Sequence, residues 1–139
     1  MKRKYLLASH GRLAEGFQSS LTILADKGND FQVINAYITD EDYTPEIIAF
    51  IHSINEEEQA VIFTDLFGGS VNQKIVTEVM KDKKENIFVI SNANLAIILS
   101  ILFAGDEKLT HEGIQAYIAD SQVTLVPTTF IQEEEESFF

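Results

Sequence analysis

The sequence predicts an α/β fold: a single doubly wound domain with a mostly parallel sheet of about five strands and helices on both faces. Short apolar runs that suit buried strands alternate with longer segments of helical spacing along almost the whole chain. Successive strands are separated by segments long enough to hold a helix, and such crossover connections join parallel strands. The alternation continues almost to the end of the chain, which indicates one layered domain rather than two.

The first half of the pattern is a strand, a helix, a second strand and a second helix. The strands are predicted over residues 5–8 and 31–38, where apolar side chains dominate. The first helix is predicted over residues 13–25, because leucine and phenylalanine recur there at helical spacing before a glycine-containing break. The second helix starts at Thr44, a capping hydroxyl that precedes Pro45 at the first helical position.

The second half repeats this alternation and adds a final short strand. We predict a strand at 60–64, a helix capped by Ser70, a strand at 87–90 and helices over 94–103 and 109–119. The final strand covers residues 123–126 and is ended by Pro127. Residues 1–127 are therefore the predicted domain, and residues 128–139 form an acidic C-terminal tail or the start of a linker.

Composition narrows the class of protein. A chain of 139 residues that is 45% hydrophobic is long enough to bury a core without crosslinks. It contains no cysteine, which fits the cytosol. No apolar run has the length of a signal-peptide core or of a membrane-spanning helix, so we expect a cytoplasmic protein.

The charge of the chain argues against nucleic acid as a partner. The formal net charge is −12, which repels phosphate backbones and attracts basic protein surfaces. The acidic runs at 40–42, 56–58 and 133–136 are expected to be solvated. Asp40 and Asp42 have no further ligands at a recognisable spacing, so we predict no metal site.

Two predicted strand ends carry the residues that suit chemistry. His10 follows the first strand and Asp65 follows the third. Because the carboxyl ends of parallel strands collect at one edge of a sheet, the two side chains are expected to converge. A carboxylate that accepts a hydrogen bond from one imidazole nitrogen fixes the tautomer and aims the lone pair of the other nitrogen. We therefore predict His10 as a nucleophile oriented by Asp65, and surface or structural roles for His52 and His111.

Glycines beside these residues indicate an anion site. Gly11 permits close approach of the backbone to a ligand, and the turn of Gly68, Gly69 and Ser70 offers backbone amides and a hydroxyl at a helix N-terminus. A phosphoryl group fits these donors better than an acyl group, because no cysteine nucleophile is present. The chain lacks a Walker A lysine motif, so the phosphate is expected to arrive on another molecule, and no cofactor is predicted.

These motifs resemble the IIA domain of the mannose, fructose and sorbose class of the bacterial phosphoenolpyruvate-dependent sugar phosphotransferase system. The resemblance covers about residues 4–126. It rests on His10-Gly11, on Asp65-Leu66-Phe67-Gly68-Gly69-Ser70, and on Asn94-Leu95 after the fourth strand. It implies a phosphotransferase in which His10 accepts a phosphoryl group from the phosphohistidine of the phosphocarrier protein. The group then passes to a histidine of the IIB component, which phosphorylates sugar as the membrane IIC/IID permease imports it.

The resemblance also implies roles for single residues and a subunit arrangement. Asp65 would bond one imidazole nitrogen of His10 while Nε2 carries the phosphate, and Gly69 and Ser70 would hold phosphoryl oxygens. The family forms homodimers by exchanging the last strand, which corresponds here to residues 123–126.

Other classes fit the sequence less well. The phosphotransfer subunit of dihydroxyacetone kinase uses the same histidine chemistry, but the two-glycine motif with phenylalanine favours the sugar-permease class. A receiver-type signalling domain would use Asp65 as phosphoacceptor, yet Ser9 and His10 occupy the place of its acidic pair, and its lysine after the last strand is missing. A flavodoxin-like binding module would need a run of hydroxyl donors that the first turn lacks.

Overall fold

A parallel sheet of four strands organises the chain, of which this computed structural model describes residues 1–130. The strands are β1 (Lys2–His10), β2 (Phe31–Ala36), β3 (Glu58–Thr64) and β4 (Ile87–Ile90), and their order in the sheet is β2-β1-β3-β4. All neighbouring pairs are parallel, so the carboxyl ends of β2, β1 and β3 lie side by side. The predicted α/β class with a parallel sheet is confirmed.

Helices cover both faces of this sheet. They are α1 (Leu13–Ala25), α2 (Thr44–His52), α3 (Ser70–Asp82), α4 (Leu95–Leu102) and α5 (His111–Ala119), with a short 3-10 turn at Gly28–Asp30. Successive strand residues point to opposite faces, so Leu6 and Leu7 join two different apolar clusters. The cluster with Leu6 includes α2 and α3, and the cluster with Leu7 includes α1, α4 and α5. This two-sided burial explains why the middle of β1 and the middle of β3 are continuous apolar runs.

The C-terminal segment differs from the sequence prediction. Residues 123–126 belong to no strand in the structure, and Val123 and Leu125 are 94% and 96% exposed. One chain therefore contributes four strands to the sheet within residues 1–130, and not about five. Apolar side chains suit this segment to a strand, but a strand also needs an edge to pair with, and the chain does not bring the segment onto one. The predicted acidic tail lies, from residue 131 onward, outside the described residues.

The second strand is shorter than predicted. It ends at Ala36, because Tyr37 adopts a positive φ of 68°, which turns the chain out of the extended conformation. Within residues 1–130, no helix combines the length and the apolar character that crossing a membrane requires.

Candidate active site

The carboxyl ends of three neighbouring strands meet around the imidazole of His10. Parallel pairing sets His10 beside Ala36 of β2 and sets Ala8 beside Thr64 of β3. Tyr37 follows Ala36 and Asp65 follows Thr64, so these two side chains flank His10.

Asp65 holds the His10 ring through one carboxylate oxygen. Its Oδ2 accepts a hydrogen bond from the backbone N–H of His10 at 2.8 Å and lies 2.7 Å from the ring Nδ1. The second oxygen, Oδ1, accepts from the backbone N–H of Leu66 at 2.9 Å. The Asp65 side chain is 8% exposed and the His10 side chain 42% exposed. The orienting carboxylate is therefore nearly buried, whereas the ring remains accessible to a partner.

The charge of Asp65 decides which ring nitrogen carries the proton. Burial raises the pKa of Asp65, but hydrogen bonds from the backbone and ring of His10 and from Leu66 outweigh it and lower the pKa below the usual value. Because an ionised carboxylate can only accept hydrogen bonds, we assign the ring proton of neutral His10 to Nδ1. Nε2 then carries the free lone pair.

Ser70 contacts that second ring nitrogen. Its Oγ lies 3.2 Å from His10 Nε2 and 2.8 Å from the hydroxyl of Tyr37. The sequence predicted Ser70 as the cap of α3, but Gly69 occupies the N-cap position and Ser70 is the first helical residue. The capping prediction was wrong by one position, which leaves the hydroxyl free to face His10.

Tyr37 is a site residue that sequence reasoning missed. Its ring centroid lies 5.3 Å from that of His10, and its hydroxyl also lies 3.3 Å from the hydroxyl of Tyr43. The rule that identified His10 and Asp65, a polar group directly after a strand, also applies to Tyr37. It was not applied there because the predicted strand continued to Ile38.

The predicted glycines differ in what their amides do. The amide of Gly11 donates to the carbonyl of Ala36 at 2.8 Å, and that of Gly69 donates to the carbonyl of Leu66 at 3.0 Å. Gly68 has a φ of 77°, and its amide has no hydrogen-bond acceptor within residues 1–130. A Cβ on Gly69 would lie 3.7 Å from His10 Cε1. Gly68 thus offers a free donor, whereas Gly11 shapes the turn and Gly69 leaves room beside the imidazole.

The two helices that begin beside His10 differ in how many of their first amides are engaged. At α1, the amide of Ala14 donates to Ser9 Oγ at 2.7 Å and that of Glu15 donates to Asn35 Oδ1 at 3.3 Å. At α3, the amide of Ser70 and that of the next residue have no acceptor among residues 1–130. More of the first amides therefore remain for an anion at α3 than at α1, so the partial positive charge of the helix N-terminus favours α3.

One known protein family matches most of this chain. The sequence model of the family described as PTS system fructose IIA component matches residues 4–118. The chain belongs to this family. Members of the family are phosphotransferase components that act in sugar uptake together with phosphocarrier and IIB partners. A comparison with curated proteins finds no match.

Solved structures share the fold of this IIA component. One of them is a protein from Klebsiella pneumoniae subsp. pneumoniae MGH 78578, named as a candidate permease of the phosphoenolpyruvate-dependent sugar phosphotransferase system. Its sequence is 28% identical and its TM-score is 0.75, and the match covers 86% of this chain and 85% of that chain. The mannose/sorbose-specific IIA subunit from Enterococcus faecalis is 23% identical with a TM-score of 0.72, and the match covers 95% and 100% of the two chains. A IIA protein associated with the fucose utilisation operon of Streptococcus pneumoniae is 17% identical with a TM-score of 0.72, over 89% and 93% of the chains.

The remaining charged candidates of this IIA component lie in other contacts. His52 Nε2 lies 3.4 Å from Asp82 Oδ2, and the ring of His111 packs edge-on against Phe88 at 5.4 Å. Arg12, directly before α1, pairs with Glu15 at 3.3 Å, and both side chains are more than half exposed. No group of three His, Asp or Glu side chains in the described part of the chain could hold a metal ion.

Proposed function

We propose that His10 is the phosphoryl-carrying residue of this IIA component, and that it relays the group from the phosphocarrier protein to the IIB component. The observation that carries this proposal is the position of the ring. Asp65 engages Nδ1 at 2.7 Å, while Nε2 faces the hydroxyl of Ser70 at the N-terminus of α3. One nitrogen is thereby oriented and the other is a nucleophile beside hydrogen-bond donors.

The transfer step needs only the His10 ring, the Asp65 carboxylate and the donor phosphohistidine. The lone pair of Nε2 forms a bond to the phosphorus of the donor phosphohistidine. The bond from phosphorus to the donor nitrogen breaks, and its electron pair stays on that nitrogen. The His10 ring keeps its Nδ1 proton and gains positive charge, which the Asp65 carboxylate offsets. A charge-assisted hydrogen bond of this kind contributes roughly 1.5–3 kcal/mol. The same groups serve the onward transfer to the IIB histidine.

The phosphoryl oxygens are held by donors that the unphosphorylated site leaves free. The hydroxyl of Ser70, the first amides of α3 and the amide of Gly68 are the donors in this proposal. Gly69 contributes space, because a side chain there would approach the ring. Gly11 contributes the turn that follows β1, since its own amide is already engaged. No metal ion is needed to neutralise the group in this arrangement, because helix amides and a hydroxyl perform that role.

The surface around the site suits docking of a protein donor and acceptor. Leu66 and Phe67 follow Asp65 directly and are 58% and 78% exposed. Exposed apolar side chains at a site on an acidic protein fit a partner with an apolar centre and basic surroundings. The net charge of −12 favours such basic surfaces on the phosphocarrier and IIB proteins. Contact with the membrane IIC/IID permease is then indirect, through IIB.

We further propose that the IIA component is a homodimer that exchanges residues 123–126. The outer side of β4 has no strand partner within residues 1–130. A cleft of about 650 Å³ beside β4 is lined by Val89, Ile90 and Ile118 and reaches Val123. An exposed apolar segment next to an open sheet edge supports pairing with a second copy. Light scattering should give the mass of a dimer, and Leu125→Asp should shift it to that of a monomer; a monomeric wild-type protein would contradict the exchange.

The central experiment is phosphorylation by the reconstituted donor chain. Incubation with labelled phosphoenolpyruvate, enzyme I and the phosphocarrier protein should label the protein with an acid-labile, base-stable phosphate. The His10→Ala variant should take no label. The His52→Ala variant is the matched control, because His52 also pairs with a carboxylate but lies in α2. Label retained in His10→Ala would refute the assignment of His10.

A further inference from the structure

We infer that Tyr37 is a positioning residue for phosphoryl transfer, whose hydroxyl keeps the proton of Ser70 directed at Nε2 of His10. The inference deepens the proposed function and rests on it. It begins from a line of hydrogen bonds that runs from Tyr43 through Tyr37 and Ser70 to the imidazole.

The backbone commits Tyr37 to this position. Its φ of 68° lies in the left-handed region, which residues with bulky side chains rarely adopt. Such a conformation is strained, and it persists where surrounding contacts fix it. The contacts here are the hydroxyl of Ser70 at 2.8 Å and the ring of Tyr43, which packs edge-on at 5.6 Å. The strained residue is also the one that directly follows β2 at the site.

Tyr43 anchors the far end of the line. It is 6% exposed, and Lys74 Nζ lies 4.4 Å from the centre of its ring. Hydrogen bonds to Ser70 and Tyr43 lower the pKa of Tyr37, whereas burial raises the pKa of Tyr43. Of the two phenols, Tyr43 is therefore the one that holds its proton more firmly, and Tyr37 is the one that shares its proton more readily.

The number of protons that each group can donate fixes the donor in every hydrogen bond from Tyr43 to His10. Each hydroxyl has one proton to donate and lone pairs to accept. Nε2 of neutral His10 can only accept, because Nδ1 carries the ring proton, so Ser70 donates to Nε2. Ser70 then accepts from Tyr37, and Tyr37 accepts from Tyr43. With Tyr37 donating to it, the Ser70 hydroxyl cannot turn its own proton toward Tyr37.

This direction matters when Nε2 becomes phosphorylated. The lone pair of Nε2 is then used in the bond to phosphorus, and the Ser70 proton must pass to a phosphoryl oxygen on the same side of the ring. A Ser70 that is already a donor toward Nε2 makes this change with a small rotation, and no proton has to be exchanged. The role of Tyr37 is to keep Ser70 in that state before the donor arrives.

Two measurements on matched variants test the inference. The first is the single-turnover rate of labelling at saturating phosphocarrier. We expect Tyr37→Phe to lower this rate about 3- to 10-fold, as the loss of one neutral hydrogen bond would, with the half-saturating phosphocarrier concentration unchanged. We expect the double variant Tyr37→Phe/Ser70→Ala to be no slower than Ser70→Ala alone. Tyr117→Phe on α5 is the control and should match wild type.

The second measurement is the ¹⁵N NMR resonance of His10 Nε2 in the unphosphorylated protein. Tyr37→Phe should shift it in the same direction as Ser70→Ala, toward the value of a nitrogen that accepts no hydrogen bond. Additive rate losses in the double variant, or an unshifted Nε2 resonance in Tyr37→Phe, would overturn the inference. If wild type takes no label, the proposed function fails, and the inference fails with it. If wild type is labelled and Tyr37→Phe matches it in both measurements, only the inference fails.

Discussion

The substitution Asp65→Asn separates the charge of the orienting carboxylate from its shape. Asparagine has nearly the same size, but only one of its two terminal atoms accepts hydrogen bonds. In the wild-type protein, Oδ2 serves two donors of His10, at 2.8 and 2.7 Å, and Oδ1 serves the amide of Leu66 at 2.9 Å. An asparagine that keeps its oxygen toward His10 must place its NH₂ group against the Leu66 amide. The opposite orientation loses both bonds to His10.

The expected cost follows from the bond to Nδ1. A hydrogen bond to a charged acceptor contributes roughly 1.5–3 kcal/mol and one to a neutral acceptor roughly 0.5–1.5 kcal/mol, so removing the charge costs about 1–2 kcal/mol. The cost falls on the transition state and on the phosphorylated ring, because the imidazole is positively charged only there. At about 1.4 kcal/mol for each factor of ten, the transfer rate should fall roughly 5- to 30-fold.

A rapid-quench measurement of label transfer from the phosphocarrier protein provides the assay. Asp82→Asn is the matched control, because Asp82 also lies beside an imidazole, that of His52 at 3.4 Å, in a different part of the fold. The control should transfer at the wild-type rate. An Asp65→Asn variant that transfers at the wild-type rate would refute the orienting role. Equal slowing in Asp82→Asn would show that the loss reflects overall charge and not the contact with His10.

Three further predictions address the support of the site and the stability of the fold. Thr64→Val should lower the free energy of unfolding by about 1–3 kcal/mol in urea titrations. The reason is that Thr64 Oγ1 lies 2.9 Å from Asn72 Oδ1 and 3.0 Å from Ser91 Oγ in a buried network. An unchanged unfolding midpoint would contradict this prediction. Gly69→Ala should slow labelling of His10 more than it alters the unfolding midpoint. The φ of −69° accepts alanine, but the new Cβ would lie 3.2 Å from the Leu66 carbonyl oxygen. Labelling at the wild-type rate would argue against this prediction. The pKa of Glu58 is lowered, because hydrogen bonding from Asn55 and the charges of Lys4 and Lys2 outweigh burial. The contribution of ionised Glu58 to stability is therefore present above the usual carboxyl range and is lost as the pH falls through the lowered pKa. In thermal scans from about pH 7 to about pH 3, Glu58→Gln should therefore be less stable than wild type at neutral pH and approach it in acid.

The fold class follows from the sequence because burial on both faces is visible in the residues themselves. The central part of a strand such as β3 must be apolar to pack against helices above and below it, and such runs alternate here with helical spacing. The sequence shows less clearly which strand pairs with which edge of the sheet. Residues 123–126 have the composition of a strand, but composition does not say which edge is open or whether one chain can reach it. Within one chain, residues 123–126 therefore lie outside the sheet, and their exchange between two chains remains a prediction.

The candidate site was predicted in part, and the missing part has a physical cause. His10 and Asp65 are adjacent because His10 ends β1 and Asp65 directly follows the neighbouring β3, a relation that the sequence records. Tyr37 obeys the same relation, but tyrosine has a high preference for strands, and nothing in its side chain indicates a positive φ. The strand was therefore extended past the residue that ends it. Ser70 was predicted both as a site hydroxyl and as the cap of α3, and only the capping prediction was wrong, because Gly69 takes the N-cap position.

The contrast between the two helix N-termini bears on where a phosphoryl group would bind. Both α1 and α3 start just after a strand of the sheet, so position alone favours neither as an anion site. At α1, the side chains of Ser9 and Asn35 accept two of the first amides, which an anion would otherwise bind. At α3, the amide of Ser70 and that of the next residue have no acceptor among residues 1–130, and the Ser70 hydroxyl lies beside Nε2. In the proposed transfer to His10, the Asp65 carboxylate on the Nδ1 side would repel a dianionic phosphoryl group, and the donors at α3 would stabilise that group on Nε2.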